Sequence, residues 1–126
     1  MSCFVRIATQ IVDETALREA IVARGYKIKE SRAVRGWQDA EETADIVFDP
    51  GSANYDVGAV RGGDGTFSFV AYWEMARIDR DVFVSQLTQA YGVARVTQAA
   101  KKAGFVIAGK KVDEKGSVKM TLRRFA

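Results

Sequence analysis

The sequence contains no histidine, and it has one cysteine and one proline among its 126 residues. Histidine is the side chain that most often serves as a general base, a zinc ligand or a proton switch near neutral pH. Its absence excludes most catalytic triads and most zinc sites. Cys3 has no partner for an internal disulfide, and no helix start precedes it that would activate the thiol as a nucleophile. We therefore predict that the protein is not an enzyme and needs no cofactor.

Carboxylates are the acids, bases and metal ligands that these absences leave. The acidic residues on or beside the predicted central strands are Asp45, Asp49, Asp56, Asp64 and Glu74. Their spacing matches neither a calcium-binding loop nor another defined metal motif, so we expect turns and exposed strand positions. Convergence of Asp45, Asp56 and Glu74 on a metal ion, which would indicate a carboxylate-based metal enzyme, stays open as a third hypothesis.

Long hydrophobic runs are also missing. No apolar stretch approaches the length of about 20 residues that a membrane-crossing helix needs, and the N-terminus lacks the basic and apolar segments of a secretion signal. A hydrophobic content of 48% without low-complexity tracts is typical of one folded domain. We predict a soluble, cytoplasmic protein that forms a single domain over residues 1–126.

Charge is distributed unevenly along the chain, although the net charge is only +3. Residues 1–74 contain 8 basic and 12 acidic residues, whereas residues 75–126 contain 11 basic and 4 acidic ones. Such asymmetry indicates either two halves that attract each other within the fold or an anionic partner. We favour attraction between the halves.

The first half of the sequence predicts strands around one helix. Asp13 is placed to cap this helix, and Gly25 can adopt the left-handed conformation just past its end. Alternating or continuous apolar residues predict strands at Phe4–Ile11, Tyr26–Val34 and Ala44–Phe48. Asp49-Pro50-Gly51 ends the last of these strands because proline cannot donate a hydrogen bond to a sheet.

The second half predicts a hairpin, a long helix and a closing hairpin. The strands Tyr55–Val60 and Thr66–Trp73 flank a glycine-rich turn, and the helix extends from Asp79 to about Ala103. Phe105–Ala108 and Val118–Phe125 then form the closing pair of strands.

Both helices end on a glycine followed at once by an aromatic residue, Gly25-Tyr26 and Gly104-Phe105. This similarity predicts pseudo-repeated strand-helix-strand halves. The predicted fold is therefore α+β: a single two-layer domain in which two main helices cover one face of an antiparallel-rich sheet.

Two surfaces are candidate binding sites. Five basic residues occupy strand positions opposite the apolar alternation and would share the helix-free face of the sheet: Arg6, Lys27, Lys29, Lys119 and Arg123. A basic sheet face is consistent with a nucleic-acid-binding module, but no interleaved aromatic residues are present to stack bases, so a solvated face is the stronger interpretation.

The second candidate is the loop that contains Arg35, Trp37 and Gln38. Tryptophan and arginine dominate many protein interfaces, and a tryptophan in a polar loop can be exposed to a partner. The alternative, in which Trp37 folds back over the sheet edge, stays open.

Several short segments together resemble the hypothetical chloroplast open reading frame thirty-five family, small proteins of bacteria and algal plastids. The resemblance covers nearly the whole chain. Its segments are the opening Met1-Ser2-x-Phe4 with Thr9-Gln10-Ile11, Arg35-Gly36-Trp37, Ala44-Asp45-Ile46-Val47, Tyr55-Asp56-Val57-Gly58, Gln86-Leu87-x-Gln89-x-Tyr91, and the ending Gly116-Ser117-Val118-Lys119-Met120-Thr121-Leu122-Arg123-Arg124-Phe125. Many members have histidine at the third position, where this chain has Cys3, so no role of an imidazole carries over.

The resemblance implies no reaction, ligand or catalytic residues, because the family is a domain of unknown function. Its members often lie near a gene for an AAA-type ATPase, which implies an adaptor or assembly partner of such an enzyme. Our leading hypothesis is thus a non-enzymatic intracellular protein that acts through a protein interface. The alternative is a nucleic-acid-binding module that uses the basic sheet face.

Overall fold

The computed structural model describes residues 3–52 and 54–124. Its elements, in chain order, are β1 (Val5–Ala8), α1 (Glu14–Ala23), β2 (Lys27–Lys29), β3 (Ala33–Arg35), β4 (Glu41–Thr43), β5 (Ile46–Asp49), β6 (Val57–Arg61), β7 (Phe67–Ala71), α2 (Arg80–Lys102), β8 (Phe105–Val112) and β9 (Val118–Arg124).

The main sheet has five strands in the order β1-β7-β6-β5-β2, and all four of its strand pairs are antiparallel. Both helices cover one face, where Leu17 and Ile21 of α1 and Phe83 and Leu87 of α2 join one core with inward-facing residues of the sheet such as Phe69. The predicted α+β fold with two helices on an antiparallel sheet is therefore confirmed.

The caps explain where the helices begin. The Asp13 side chain accepts a hydrogen bond from the backbone N–H of Ala16 at 2.9 Å, and Asp79 caps α2 in the same way. Lys101 and Lys102 lie in the last turn of α2, where cations stabilise the negative end of the helix dipole. In the described part of the chain, neither helix combines the length and the apolar character that a bilayer crossing requires.

The predicted strand Tyr26–Val34 is wrong as one element. The chain leaves the main sheet after Lys29, turns, and forms β3, which pairs with β4 in a separate two-stranded sheet. This break buries Val34 completely against Val47 and Val70, a burial that continuing along the sheet edge would not provide.

The β3–β4 pair covers the centre of the helix-free face, which we had expected to be solvated. At Gly58 of β6 the approach is so close that an added Cβ atom would lie 2.5 Å from Cγ2 of Val34 and 2.7 Å from Cβ of Ala44. Glycine is needed here because no larger side chain fits between the sheet and its cover.

The closing hairpin β8–β9 is a third, separate sheet that packs against α2. The expectation that Lys119 and Arg123 share a sheet face with Arg6 and Lys29 is therefore wrong. Gly25 and Gly104 both have left-handed φ angles, of +83° and +82°. However, β2 joins the main sheet and β8 does not, so the proposed pseudo-repeat of the halves stays a prediction.

Replacing Gly58 with alanine is expected to reduce the free energy of unfolding by about 1–3 kcal/mol, because the new methyl group overlaps Val34 and Ala44. Gly92→Ala in α2 is the matched control, since no atom beyond its chain neighbours and the surrounding helix backbone lies within 4 Å of its added Cβ. That change should stabilise the protein by about 0.5–1 kcal/mol. Urea unfolding measures both, and equal effects of the two substitutions would contradict the close packing.

Candidate protein-binding groove

Asp56, which immediately precedes β6, is the fully buried charged residue of the described chain. Its carboxylate accepts hydrogen bonds from Nε and Nη2 of Arg35 at 3.0 and 3.1 Å, and from the Arg35 backbone N–H at 3.1 Å. Nζ of Lys29 lies 3.2 and 3.3 Å from the two carboxylate oxygens. A buried carboxylate is stable only when cations and donors surround it in this way.

The pairing keeps Asp56 ionised. Burial by itself raises the pKa of Asp56, but hydrogen bonds from Arg35 and Lys29 outweigh that effect and hold the pKa below its usual value. The hydrogen bond to Asp56 likewise raises the pKa of Arg35. Three elements are tied together as a result: β2 through Lys29, β3 through Arg35, and the start of β6.

The loop that follows β3 is anchored on this buried base. An added Cβ atom at Gly36 would lie 2.3 Å from the Tyr72 ring, so the loop backbone rests directly on the core. The Gly36 N–H donates to the Ala40 carbonyl at 2.8 Å, and the Ala40 N–H donates to the Trp37 carbonyl at 3.1 Å. Gln38 completes the turn with a φ angle of +56°. The loop is therefore a closed, well-defined turn.

Trp37 lies at the tip of this turn with 50% of its surface exposed. Half of the Trp37 surface is therefore accessible to a partner. Beside it is a cavity of about 470 Å³, which the loop residues line together with Glu41, Asn54 and Tyr55. Arg35, Trp37 and Gln38, the three residues predicted as a partner-binding site, all border this groove.

The groove has acidic groups without a counterion. Arg35 pairs with Asp56, which it shares with Lys29, whereas Asp39 and Glu41 form no ion pair within 4 Å in the part of the chain that the structure describes. Both acidic residues line the same groove as Trp37 and Tyr55. The arrangement presents aromatic surface and negative charge to a ligand.

The structure does not bring together the five basic residues predicted as a nucleic-acid surface. Arg6 pairs with Glu42 at 2.9 Å, and Lys29 is bound to Asp56. Lys27 lies on β2, opposite Asp49 of β5. Lys119 and Arg123 lie on the separate hairpin β8–β9. The expectation that all five basic residues share one face of one sheet is therefore wrong.

The carboxylates considered for a metal site also lie apart. An oxygen of Asp45 accepts the backbone N–H of Arg61 at 2.7 Å, Asp56 is occupied by Arg35 and Lys29, and Glu74 lies beside the start of α2. Among residues 3–52 and 54–124, no group of three histidine, cysteine or acidic side chains is close enough to hold a metal ion.

Sequence reasoning missed the structural role of Asp56 and the contribution of Tyr55 and Glu41 to the groove. One signal was present: Asp56 immediately precedes the apolar segment that begins at Val57, at a position where a charge can be buried only with a partner. Its partners, Lys29 and Arg35, are 27 and 21 residues away, and only the turn between β2 and β3 brings them to it.

Comparison with known proteins finds similarity to proteins whose function is unknown. The family model described as "Protein of unknown function (DUF1257)" matches residues 20–121, a range that includes Asp56 and the groove. The chain is similar to "Uncharacterized protein ycf35" of Guillardia theta, with 31% identity over 130 residues that cover 99% of this chain and 98% of the relative. No solved structure matches significantly.

The substitution Asp56→Asn is expected to lower the free energy of unfolding by about 1–3 kcal/mol, since it weakens the hydrogen bonds at a buried position and leaves the partly exposed Arg35 and Lys29 charges without their counterion. Asp39→Asn removes the same charge from the exposed turn and should change stability little. Urea unfolding at neutral pH measures both effects. A small effect of Asp56→Asn, equal to that of the control, would contradict a structural role for the buried ion pair.

The contribution of Asp56 should also depend on pH. Because its pKa in the folded protein is lower than in the unfolded chain, the stabilisation is fully present above the unfolded pKa of about 4 and is lost as the pH falls towards the folded pKa. The stability difference between the wild type and Asp56→Asn should be constant from about pH 5 to 7 and shrink below about pH 4. Acid titration of urea midpoints tests this, and a difference that persists unchanged to low pH would refute it.

Proposed function

The chain belongs to the family of proteins of unknown function DUF1257, and on that premise we propose that it is a non-enzymatic binding protein that acts through the groove around Trp37. The observation that carries this proposal is a half-exposed tryptophan on a turn whose base is fixed by the buried Asp56. Tryptophan is among the residues that contribute most to binding free energy at protein interfaces.

Preorganisation is the physical reason why this turn suits binding. A flexible loop loses conformational entropy when it binds, at a cost of about 0.5–1.5 kcal/mol for each ordered side chain. The hydrogen bonds between Gly36, Trp37 and Ala40, and the contact of Gly36 with Tyr72, order this turn before any partner arrives. More of the interaction energy then remains for affinity.

The chemistry of the groove favours a protein segment that carries lysine or arginine. A cation is attracted to the faces of Trp37 and Tyr55, with an energy of about 0.5–2 kcal/mol, and to the carboxylates of Asp39 and Glu41. Asp56 offsets one of the two positive charges of Arg35 and Lys29, so the two carboxylates of the groove outweigh the one that remains.

The buried carboxylate supports the non-enzymatic part of the proposal. Both oxygens of Asp56 are occupied by cationic and backbone donors, and Asp45 is bound to a backbone N–H, so these groups hold the fold together. The resemblance to the plastid family implies an AAA-type ATPase as the first partner to test. The protein would then be a cytoplasmic adaptor or assembly partner of that enzyme.

The test compares tagged wild-type protein with Trp37→Ala and Val82→Ala in the native cell, by cross-linking, nuclease treatment and quantitative mass spectrometry. Val82 is the matched control because it is also an apolar side chain with 50% exposure, but it lies on α2. We expect an AAA-type ATPase to be retained by the wild type and Val82→Ala, and its affinity for Trp37→Ala to fall by about 30-fold, as removal of a hot-spot residue gives.

The charge of the partner is tested by titrating the purified ATPase with a second variant, Asp39→Lys combined with Glu41→Lys. This variant should bind more weakly, since it repels a cationic segment. Unchanged affinity for both the Trp37 variant and the charge-reversed variant would contradict the groove as the binding site. Absence of any retained protein would contradict the proposed function as a whole.

A further inference from the structure

The ion pairs of the described chain are confined to its first half. Basic residues between positions 6 and 61 pair with acidic residues of the same section, and the five pairs all lie within it. Among the described residues, no salt bridge therefore supports the attraction between halves that the sequence favours. Eight basic residues and only two acidic ones occupy positions 101–124, and none of them forms an ion pair within 4 Å in the described structure.

One face of the hairpin β8–β9 lies towards α2, which covers it in part and leaves Val112 60% exposed, and the other face lies in solvent. The register places Val118, Met120 and their partners Val112 and Lys110 on one face, and Val118 and Val112 border a shared cavity with residues of α2. Side chains alternate between the two faces of a strand, so the intervening residues point outward. The exposed residues of this outer face are Lys111, Lys119, Thr121 and Arg123.

Like charges face each other on this surface. Lys111 lies directly opposite Lys119 in the ladder, an arrangement that destabilises an antiparallel pair. Asp113 does not compensate them, because its carboxylate accepts the backbone N–H groups of Lys115 and Ser117 at 2.9 Å and forms the turn. An outer face that keeps repelling charges without a counterion is matched to an anionic ligand.

The shape and composition of this surface favour duplex DNA over duplex RNA and over single-stranded nucleic acid. The two strands contain 8 and 7 residues and form an antiparallel ribbon, a shape that the major groove of B-form DNA admits at a width of about 12 Å. The major groove of A-form RNA is too narrow for such contacts. Single strands need aromatic side chains to stack their bases, and the outer face between residues 105 and 124 has none.

The geometry points to a duplex DNA site on the outer face of β8–β9, with Lys111, Lys119 and Arg123 in contact with the phosphates that flank the major groove. Helix α2 supports the opposite face of the ribbon, so the basic side chains are held on a backed surface. The contacts are to phosphate and carry no sequence preference of their own, so the affinity falls steeply with salt. This site is on a different element from the Trp37 groove and does not depend on the function proposed for it.

The test is fluorescence anisotropy of labelled 20-base-pair duplex DNA titrated with the full chain over a range of salt concentrations. The variant combines Lys111→Gln, Lys119→Gln and Arg123→Gln. The matched control combines Lys27→Gln, Arg32→Gln and Arg80→Gln. It also removes three positive charges, but from exposed residues outside the hairpin that form no ion pair in the described structure. Circular dichroism checks folding, which the hairpin variant should retain because it removes the repulsion between Lys111 and Lys119.

We expect the hairpin variant to bind duplex DNA about 10-fold or more weakly near 0.1 M salt, and the slope of log affinity against log salt to decrease by about 2–3. The control should retain most of its affinity. Equal loss in both variants, salt-independent binding or no binding would overturn the inference. Tighter binding to single strands or an RNA duplex, or equal displacement by polyglutamate at matched charge, would also overturn it, since each assigns the face to a different ligand.

Discussion

The structure depends on one buried carboxylate. Asp56 lies inside the protein with no exposed surface, and an unpaired charge in that position would cost several kcal/mol. Only an arrangement that brings Arg35 and Lys29 within hydrogen-bonding distance of it is stable. The path of the chain meets this requirement together with the burial of Val34: it leaves the main sheet after β2, and β3 crosses the other face. The exposed position of Trp37, two residues beyond Arg35, follows from that crossing.

The two binding surfaces that we infer have opposite charge and different supports. The groove around Trp37 presents the carboxylates of Asp39 and Glu41 on a turn fixed from below by an ion pair. The outer face of β8–β9 presents lysines and an arginine on a ribbon backed by α2. The uneven charge seen along the sequence is thus a separation of charge in space. A protein with both surfaces active would connect a cationic protein segment to duplex DNA.

Features governed by neighbouring residues could be predicted from the sequence, and features governed by distant contacts could not. The helix cap at Asp13 and the left-handed turn at Gly25 depend on a few adjacent residues, and both were predicted. The second helix was predicted to begin at Asp79, which the structure shows to be its cap. The break between β2 and β3 depends on burial of Val34 against strands that follow later in the chain. The polar residues Glu30-Ser31-Arg32 interrupt the alternation at that break, but they do not show which strands Val34 packs against. Trp37 could be identified as a candidate, but the buried charge that fixes its turn could not.

The central claim is that the turn bearing Trp37 is fixed by Asp56 before any partner binds. Native-state amide hydrogen exchange measures this most directly, through the Arg35 N–H that donates to the Asp56 carboxylate. The account predicts that this amide is protected nearly as strongly as the amide of Ala59 in the central strand β6. Exchange at the rate of an exposed turn, such as that of Gly63, would show that the base of the groove opens freely and would contradict the account.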